Sequence, residues 1–175
     1  MPLTTYTAGE VLTAASLNAN FSFAATAGPT IAIFNETQAN GTSGGTATSG
    51  SFIKRVLNTT ITNGITGCSI ASSVITLPAG TYIVQAYAPF IQTLGSQLKF
   101  RNTTDSTDAI VGTALLINTT AGGMPQLTGA FTIAGNKNFE LQYRVNTTKT
   151  TDGLGGAEFF GVGEIFASIM ITKTA

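Results

Sequence analysis

The chain has 175 residues, of which only 9% are charged; eight Lys and Arg balance eight Asp and Glu, and there is no histidine. Soluble domains contain about 25% charged residues, and a surface of zero net charge favours association. The balance gives no electrostatic attraction for nucleic acid or an anionic membrane, and the 43% hydrophobic content excludes intrinsic disorder. We therefore expect a folded domain that buries part of its surface in an oligomer.

The segment 1–29 differs from the rest of the chain. Thr13 is a suitable N-cap for a helix that follows it, because its hydroxyl can accept a hydrogen bond from the first helical turn. Leu17 and Phe21 are four residues apart and give this helix one narrow apolar stripe. Such a short helix is not stable alone, so we expect it to dock onto another surface. Gly28-Pro29 ends the segment as a turn.

From residue 30 onward the hydrophobic pattern changes to a period of two, which is typical of strands with one buried face. No interval is long and periodic enough to be the crossover helix of a βαβ unit. We predict an all-β fold, an antiparallel jelly-roll sandwich over residues 30–175 with a short N-terminal helix or arm over 1–29. The predicted strands are 31–34, 52–60, 72–77, 82–88, 98–101, 109–117, 127–133, 139–145 and 165–171.

The sequence offers little for catalysis. Without histidine, the usual general base and nitrogen metal ligand are missing, and Ser/His/Asp and Cys/His nucleophile systems are excluded. A pair of carboxylates brought together by the fold remains a minor alternative, as in glycosidases. Cys68 is the single cysteine, so we expect it to pack as a small apolar residue. We predict that the protein is not an enzyme and uses no cofactor.

One polar loop leaves two alternatives open. Asp105 and Asp108 lie within 102–108 among several threonines and a serine, and such oxygen donors could hold a hard cation such as calcium. The same residues are also common turn formers in a solvated loop. No calcium-binding spacing favours the first alternative, and the sequence alone does not decide between them.

The N-terminal segment resembles a known group of proteins. Residues 7–21, with the sequence TAGEVLTAASLNANF, are similar to the opening of small tailed-bacteriophage virion proteins, including fibre and decoration proteins. The resemblance implies that this end attaches to the phage particle. The residues expected to make the attachment are Val11, Leu12, Leu17 and Phe21.

Residues 38–173 resemble the jelly rolls of the tumour-necrosis-factor-like and complement-globular type that occur in phage fibres and capsid knobs. The step Gly80-Thr81-Tyr82 and the apolar strand 165–171 carry the resemblance. The chain departs from the family pattern at Phe52, where tryptophan or tyrosine is frequent, and at Phe90-Ile91-Gln92, where histidine or arginine often occurs. The resemblance implies a homotrimer, and the side chains expected near its axis are Tyr82, Tyr87, Tyr143 and Phe166.

These resemblances lead to two hypotheses for function. In the first, the protein is a capsid decoration or cement protein, a homotrimer that stabilises the head and binds phage coat protein through residues 1–29. In the second, it is a short tail or head fibre that binds a tail or baseplate protein through the arm and a host surface ligand through loops 40–50 and 102–108. An arm and a knob without a shaft favour the first. Both place the protein on the virion surface, after synthesis in the bacterial cytoplasm, with no nucleic-acid or membrane partner.

Overall fold

The computed structural model describes residues 5–11, 13–26, 28–116, 118 and 120–174. These ranges contain one helix, α1 (Ala14–Thr26), and thirteen strands. The strands are β1 (Thr30–Gln38), β2 (Ile53–Lys54), β3 (Thr59–Asn63), β4 (Ser69–Ala71), β5 (Val74–Leu77), β6 (Gly80–Tyr87), β7 (Phe90–Ile91), β8 (Gly95–Asn102), β9 (Thr107–Leu116), β10 (Gly122–Gly123), β11 (Gln126–Ile133), β12 (Lys137–Val145) and β13 (Glu164–Lys173).

The strands form two main sheets. Sheet 1 has the order β11-β6-β13-β1-β3, and sheet 2 has the order β4-β5-β12-β8-β9 with β2 paired to β12. The small pair β10-β7 lies outside both, and all of these strand pairs are antiparallel. The all-β antiparallel sandwich predicted from the period of two is confirmed.

The core lies between the two sheets and has an aromatic centre. Phe100 and Phe139 of sheet 2 stack with their ring centroids 4.8 Å apart. Phe131 of sheet 1 packs 5.1 Å from Phe139 and 5.6 Å from Tyr82, centroid to centroid. Each aromatic side chain removes about 150–250 Å² from water, so these four rings join the sheets over a large apolar area. Cys68 packs among the buried apolar residues, and burial raises the pKa of its thiol to about 11, as expected for a structural cysteine.

The single strand predicted over 52–60 is wrong. The chain forms β2 and β3 there, and they pair with different sheets: β2 with β12 of sheet 2 and β3 with β1 of sheet 1. Arg55 and Leu57, which lie between the two strands, are 0% and 4% exposed. The segment crosses from one sheet to the other through the interior. Its alternating apolar and polar residues therefore belong to two strands and the buried connection between them, and not to one strand.

A buried ion pair ties this crossing to sheet 1. Arg55 Nε lies 2.6 Å from Glu36 Oε2, and the two side chains are 0% and 1% exposed. Arg55 Nη2 also donates to the carbonyl oxygens of Leu154, at 2.5 Å, and Phe166, at 2.7 Å. The guanidinium carbon is 5.5 Å from the ring centroid of Phe90. Arg55 therefore links β1, the segment before β13, and β13 itself.

The sandwich has two distinct ends. Thr30, the first residue of β1, lies opposite Lys173, the last residue of β13, and Ile133 lies opposite Gly80 at the same end. We call this the arm end, because α1 precedes β1. Gln38 opposite Glu164, with Gln126 opposite Tyr87, marks the other end, which we call the loop end. The nine residues of β1 separate the two ends by about 30 Å.

The helix forms where the sequence predicts it. Ser16 N donates to Thr13 Oγ1 at 3.2 Å, which confirms Thr13 as the N-cap. Leu17 is 41% and Phe21 is 66% exposed, so the stripe is not covered within the described part of the chain. No helix among the described residues is long and apolar enough to cross a membrane.

Candidate self-association face

The outward side of sheet 1 carries no charged side chain. In β6, Tyr82, Val84 and Ala86 are buried in the core, so the alternate residues point away from it. The strand register extends this alternation across the sheet. The outward positions are occupied by Ile31, Ile33, Asn35, Thr37, Thr59, Thr62, Thr81, Ile83, Gln85, Tyr87, Gln126, Thr128, Ala130, Thr132, Ile165, Ser168, Met170 and Thr172. We call this surface the uncharged face.

The centre of the uncharged face is concave and partly apolar. Gln85 lies opposite Met170, and Met170 lies opposite Ile33, so these three form one row across the middle of the sheet. A hollow of about 400 Å³ opens there, lined by this row together with Tyr87 and Thr128. Ile83 and Tyr87 beside it are 43% and 40% exposed. The absence of charge and the presence of Met170 and Tyr87 fit the buried centre of protein interfaces, which is depleted of charged residues and enriched in Met and aromatic residues.

The outward side of sheet 2 has the opposite character. Lys99 Nζ and Arg101 Nη1 lie 2.9 and 2.8 Å from Asp108 Oδ1 on neighbouring strands. Lys54 Nζ lies 3.8 Å from Glu140 Oε1. Sheet 2 therefore presents ion pairs on its outward side, where sheet 1 presents none.

Comparison with solved structures identifies the type of sandwich. The crystal structure of murine APRIL at pH 5.0 matches with a TM-score of 0.54 and 8% sequence identity, over 83% of this chain and 98% of that one. The chain has a jelly-roll fold. The globular domain of zebrafish complement 1qA also matches, with 10% identity over 83% of this chain and 94% of that one, at a TM-score of 0.45. No protein-family model and no curated protein matches the chain.

The four aromatic residues predicted for a trimer axis lie in two different environments. Tyr82, Tyr143 and Phe166 are 0%, 3% and 4% exposed and belong to the interior of the protomer, whereas Tyr87 is on the uncharged face. The ring of Phe166 lies against Gly155, where φ is +131° and a Cβ would overlap the ring. These three residues leave almost no surface for a second chain to cover, so Tyr87 is the one of the four that is placed to contact it.

The residues predicted to attach the arm are exposed where the structure describes them. Val11 is 86% exposed, Phe21 is 66% exposed and Leu17 is 41% exposed, while Leu12 lies outside the described residues. Apolar side chains at these exposures are available to a partner. Their role in attachment stays a prediction.

The loop 102–108 does not present free carboxylates to a cation. Asp105 Oδ1 lies 2.7 Å from Lys137 Nζ, and Asp105 Oδ2 accepts a hydrogen bond from Asn102 Nδ2 at 2.9 Å. The hydrogen bond from Lys137 holds the pKa of Asp105 below its usual value. No group of three potential metal ligands occurs among the described residues. The loop is therefore a turn at the arm end whose Asp105 is paired with Lys137 of the neighbouring strand β12.

Asp108 gives a pH-dependent contribution to stability. The hydrogen bond from Lys99, supported by Arg101, lowers its pKa. A carboxyl group whose folded pKa is lowered stabilises the fold above its ordinary pKa, and this contribution is lost as the pH falls through the folded value. We expect Asp108→Asn to lower the free energy of unfolding by no more than about 1 kcal/mol at pH 7, because the pair is solvent-screened. In urea titrations the difference should shrink as the pH falls below 3.8, the ordinary pKa of an aspartate; a difference that does not change with pH would contradict the ion-pair origin.

Proposed function

We propose that the chain is a structural protein of a tailed-bacteriophage particle, a homotrimer that decorates the capsid and stabilises it. The observation that carries the proposal is the absence of charged side chains at the outward positions of sheet 1. Depletion of charged residues is the compositional signal of the centre of a protein interface. The virion context rests on the resemblance of residues 7–21 to the attachment segments of phage proteins.

The size of the uncharged face suits an interface between copies. Four of the five strands have eight to ten residues and β3 has five. With strands about 4.8 Å apart and a rise of about 3.3 Å per residue, the sheet extends over about 24 by 26 Å. Because side chains project from the sheet, its accessible area is larger than this flat extent and is comparable to the surface that each partner buries in a stable protein interface, about 800 Å². The resemblance of residues 38–173 to tumour-necrosis-factor-like jelly rolls favours a threefold arrangement, in which three copies of this face surround one axis.

The N-terminal segment is the proposed link to the particle. α1 is capped and formed, yet Leu17 and Phe21 remain exposed. A trimer carries three such arms, and once one arm is docked the others bind at a high effective concentration set by their tether. Weak apolar contacts from each arm thus add up to firm attachment. A protein that binds assembled coat and not free subunits stabilises the shell by mass action.

The experiment is deletion of residues 1–27. We expect the truncated protein to keep its oligomeric state and to lose particle binding by at least tenfold. The variant Leu17→Ser/Phe21→Ser should show the same loss within the full chain, with Asn18→Ser, an exposed position of the same helix, as the matched control. Unchanged binding of the truncated protein would contradict the attachment role.

Heat rupture of particles with and without the protein separates decoration from a second candidate, a short tail or head fibre. Decoration predicts a lower rupture temperature for particles that lack it. Equal rupture temperatures together with loss of host adsorption would favour the fibre, whose knob would contact a host ligand. The exposed residues of the connection that follows β1, among them Thr42 and Gly50, favour this alternative, because that connection begins at the end opposite the arm.

A further inference from the structure

The loop 157–163, which precedes β13 at the loop end, exposes three large apolar side chains. Phe159 is 72%, Phe160 is 80% and Val162 is 65% exposed. Scattered apolar residues are ordinary on protein surfaces, but clustered ones mark interaction sites. We call the segment 157–163 the apolar loop.

Hydrogen bonds to the neighbouring segment 40–43 hold the apolar loop in place. Gly161 N donates to Asn40 Oδ1 at 2.8 Å. The Glu164 carboxylate accepts at a single oxygen, Oε1, from Gly41 N at 2.9 Å and from Glu158 N at 3.2 Å. Both polar side chains are used to fix the backbone, so the three apolar side chains are presented by a preorganised loop.

The backbone of the apolar loop is strained where it places the first aromatic ring. Phe159 has φ of +54°, in the left-handed region that bulky residues avoid. Its ring lies over Gly41, which has φ of +78° and where a Cβ would lie 2.6 Å from Phe159 Cε1. Strain of this kind persists where the surrounding structure enforces it and often marks a functional segment.

The apolar loop is continuous with the uncharged face. Ile165 lies opposite Thr37 at the loop end of sheet 1, and it is 48% exposed. Ile165 also lines a hollow of about 240 Å³ together with Phe160 and Val162. Ile165 therefore belongs both to the uncharged face and to the hollow beside the apolar loop.

Charge argues against an anionic lipid surface as the occupant. Glu158 and Glu164 line the same hollow, and Glu158 is exposed, so an anionic surface would be repelled from it. No lysine or arginine is present in 150–172. An apolar protein surface fits, and the continuity with the uncharged face favours one that already lies against that face.

We propose that the apolar loop packs against a second copy of the chain and extends the interface made by the uncharged face; this rests on the proposed self-association. In this arrangement Phe160 and Val162 become buried at the loop end of each interface. Glu158 stays at its rim. The loop then helps to fix how the two copies are oriented, which the uncharged face cannot do through ion pairs because it has no charged groups.

The test is the oligomeric state of Phe160→Ser/Val162→Ser against Val111→Ser. Val111 is 58% exposed on sheet 2 and provides the matched loss of an exposed apolar side chain. We expect the double variant to raise the protein concentration at which half of the trimers dissociate by at least tenfold, and the control to change it less than twofold. Sedimentation over a dilution series measures both, and circular dichroism checks that each variant is folded. Single Phe160→Ser gives a milder variant with the same expected direction.

The outcomes separate the two proposals. A wild-type protein that is monomeric at all concentrations would refute the self-association and the inference with it. A trimeric wild type with unchanged dissociation of the double variant would refute the role of the loop alone. Loss of particle or host binding by a variant that still assembles normally would also overturn it, and would assign the loop to that other partner.

Discussion

Replacing Arg55 with methionine is expected to lower the free energy of unfolding by about 3–5 kcal/mol, the usual effect of removing one partner of a buried ion pair. The Glu36 carboxylate, 1% exposed, would lose its counter-ion. The carbonyl oxygens of Leu154 and Phe166 would lose the hydrogen bonds that Arg55 donates to them. Urea unfolding of wild type and variant measures the change.

The adjacent Lys54→Met is the matched control. Its ammonium group lies 3.8 Å from Glu140 and its side chain is 36% exposed, so we expect a loss below about 1 kcal/mol. Equal losses in the two variants would contradict the structural role assigned to the buried pair.

The pH dependence of the Arg55→Met variant follows from Glu36. Burial raises the pKa of Glu36 above its ordinary value of 4.5, and Arg55 opposes this rise. Without Arg55 the folded pKa should be raised further. An acid whose folded pKa lies above its unfolded pKa loses stability as the pH rises through that interval. The deficit of the variant should therefore shrink as the pH falls from 7 to below 4.5, because the carboxyl becomes protonated in both states.

Gln85→Lys is expected to convert the trimer to monomers at micromolar concentration. Gln85 lies in the central row of the uncharged face, and an ammonium group there would be removed from water without a partner. The penalty is of the order of several kcal/mol per ion and is repeated in each copy. Light scattering should give a mass near 17.9 kDa for the variant and three times that mass for the wild type.

Gln142→Lys is the control for this substitution. Gln142 occupies an outward position on β12 of sheet 2, where its Nε2 donates to Glu140 Oε2 at 2.8 Å. A lysine there finds a carboxylate and solvent, so the trimer should persist. A Gln85→Lys protein that stays trimeric would show that the copies associate through another surface.

The period of two made most of the fold predictable. In 139–145 the buried residues are Phe139, Leu141, Tyr143 and Val145, and the polar residues between them face outward. In 13–26 the N-cap Thr13 marked the start of the helix. Both signals are local, because they depend on residues within one element.

Features that join distant segments were not predictable. The pattern in 52–60 does not reveal that the chain changes sheets there, since alternation is the same for one strand or two. Glu36 and Arg55 pair through the interior, and nothing local in either segment indicates the partner. Tyr82 and Tyr143 were expected at an interface because they are aromatic, yet alternation alone does not say which face of a strand is covered by the second sheet.

The uncharged face could not be predicted from the sequence either. The absence of charge is visible in 81–87 and in 165–172, but similar uncharged runs occur elsewhere in a chain with so few charges. The strand register decides which of these residues share one surface. The sequence also does not show that Phe159, Phe160 and Val162 are exposed. Their exposure depends on the fold of the apolar loop, which is held by hydrogen bonds to the distant segment 40–43.

The first and last strands meet at the arm end, where Thr30 lies opposite Lys173. A peptide fused after residue 174 would emerge beside the N-terminal segment and be directed toward whatever surface that segment holds. A peptide inserted at Gly50, an exposed position in the connection that follows β1, would not be constrained in that way. For display of foreign epitopes on an assembled particle, the loops between strands are therefore better insertion sites than the carboxyl end of the sandwich.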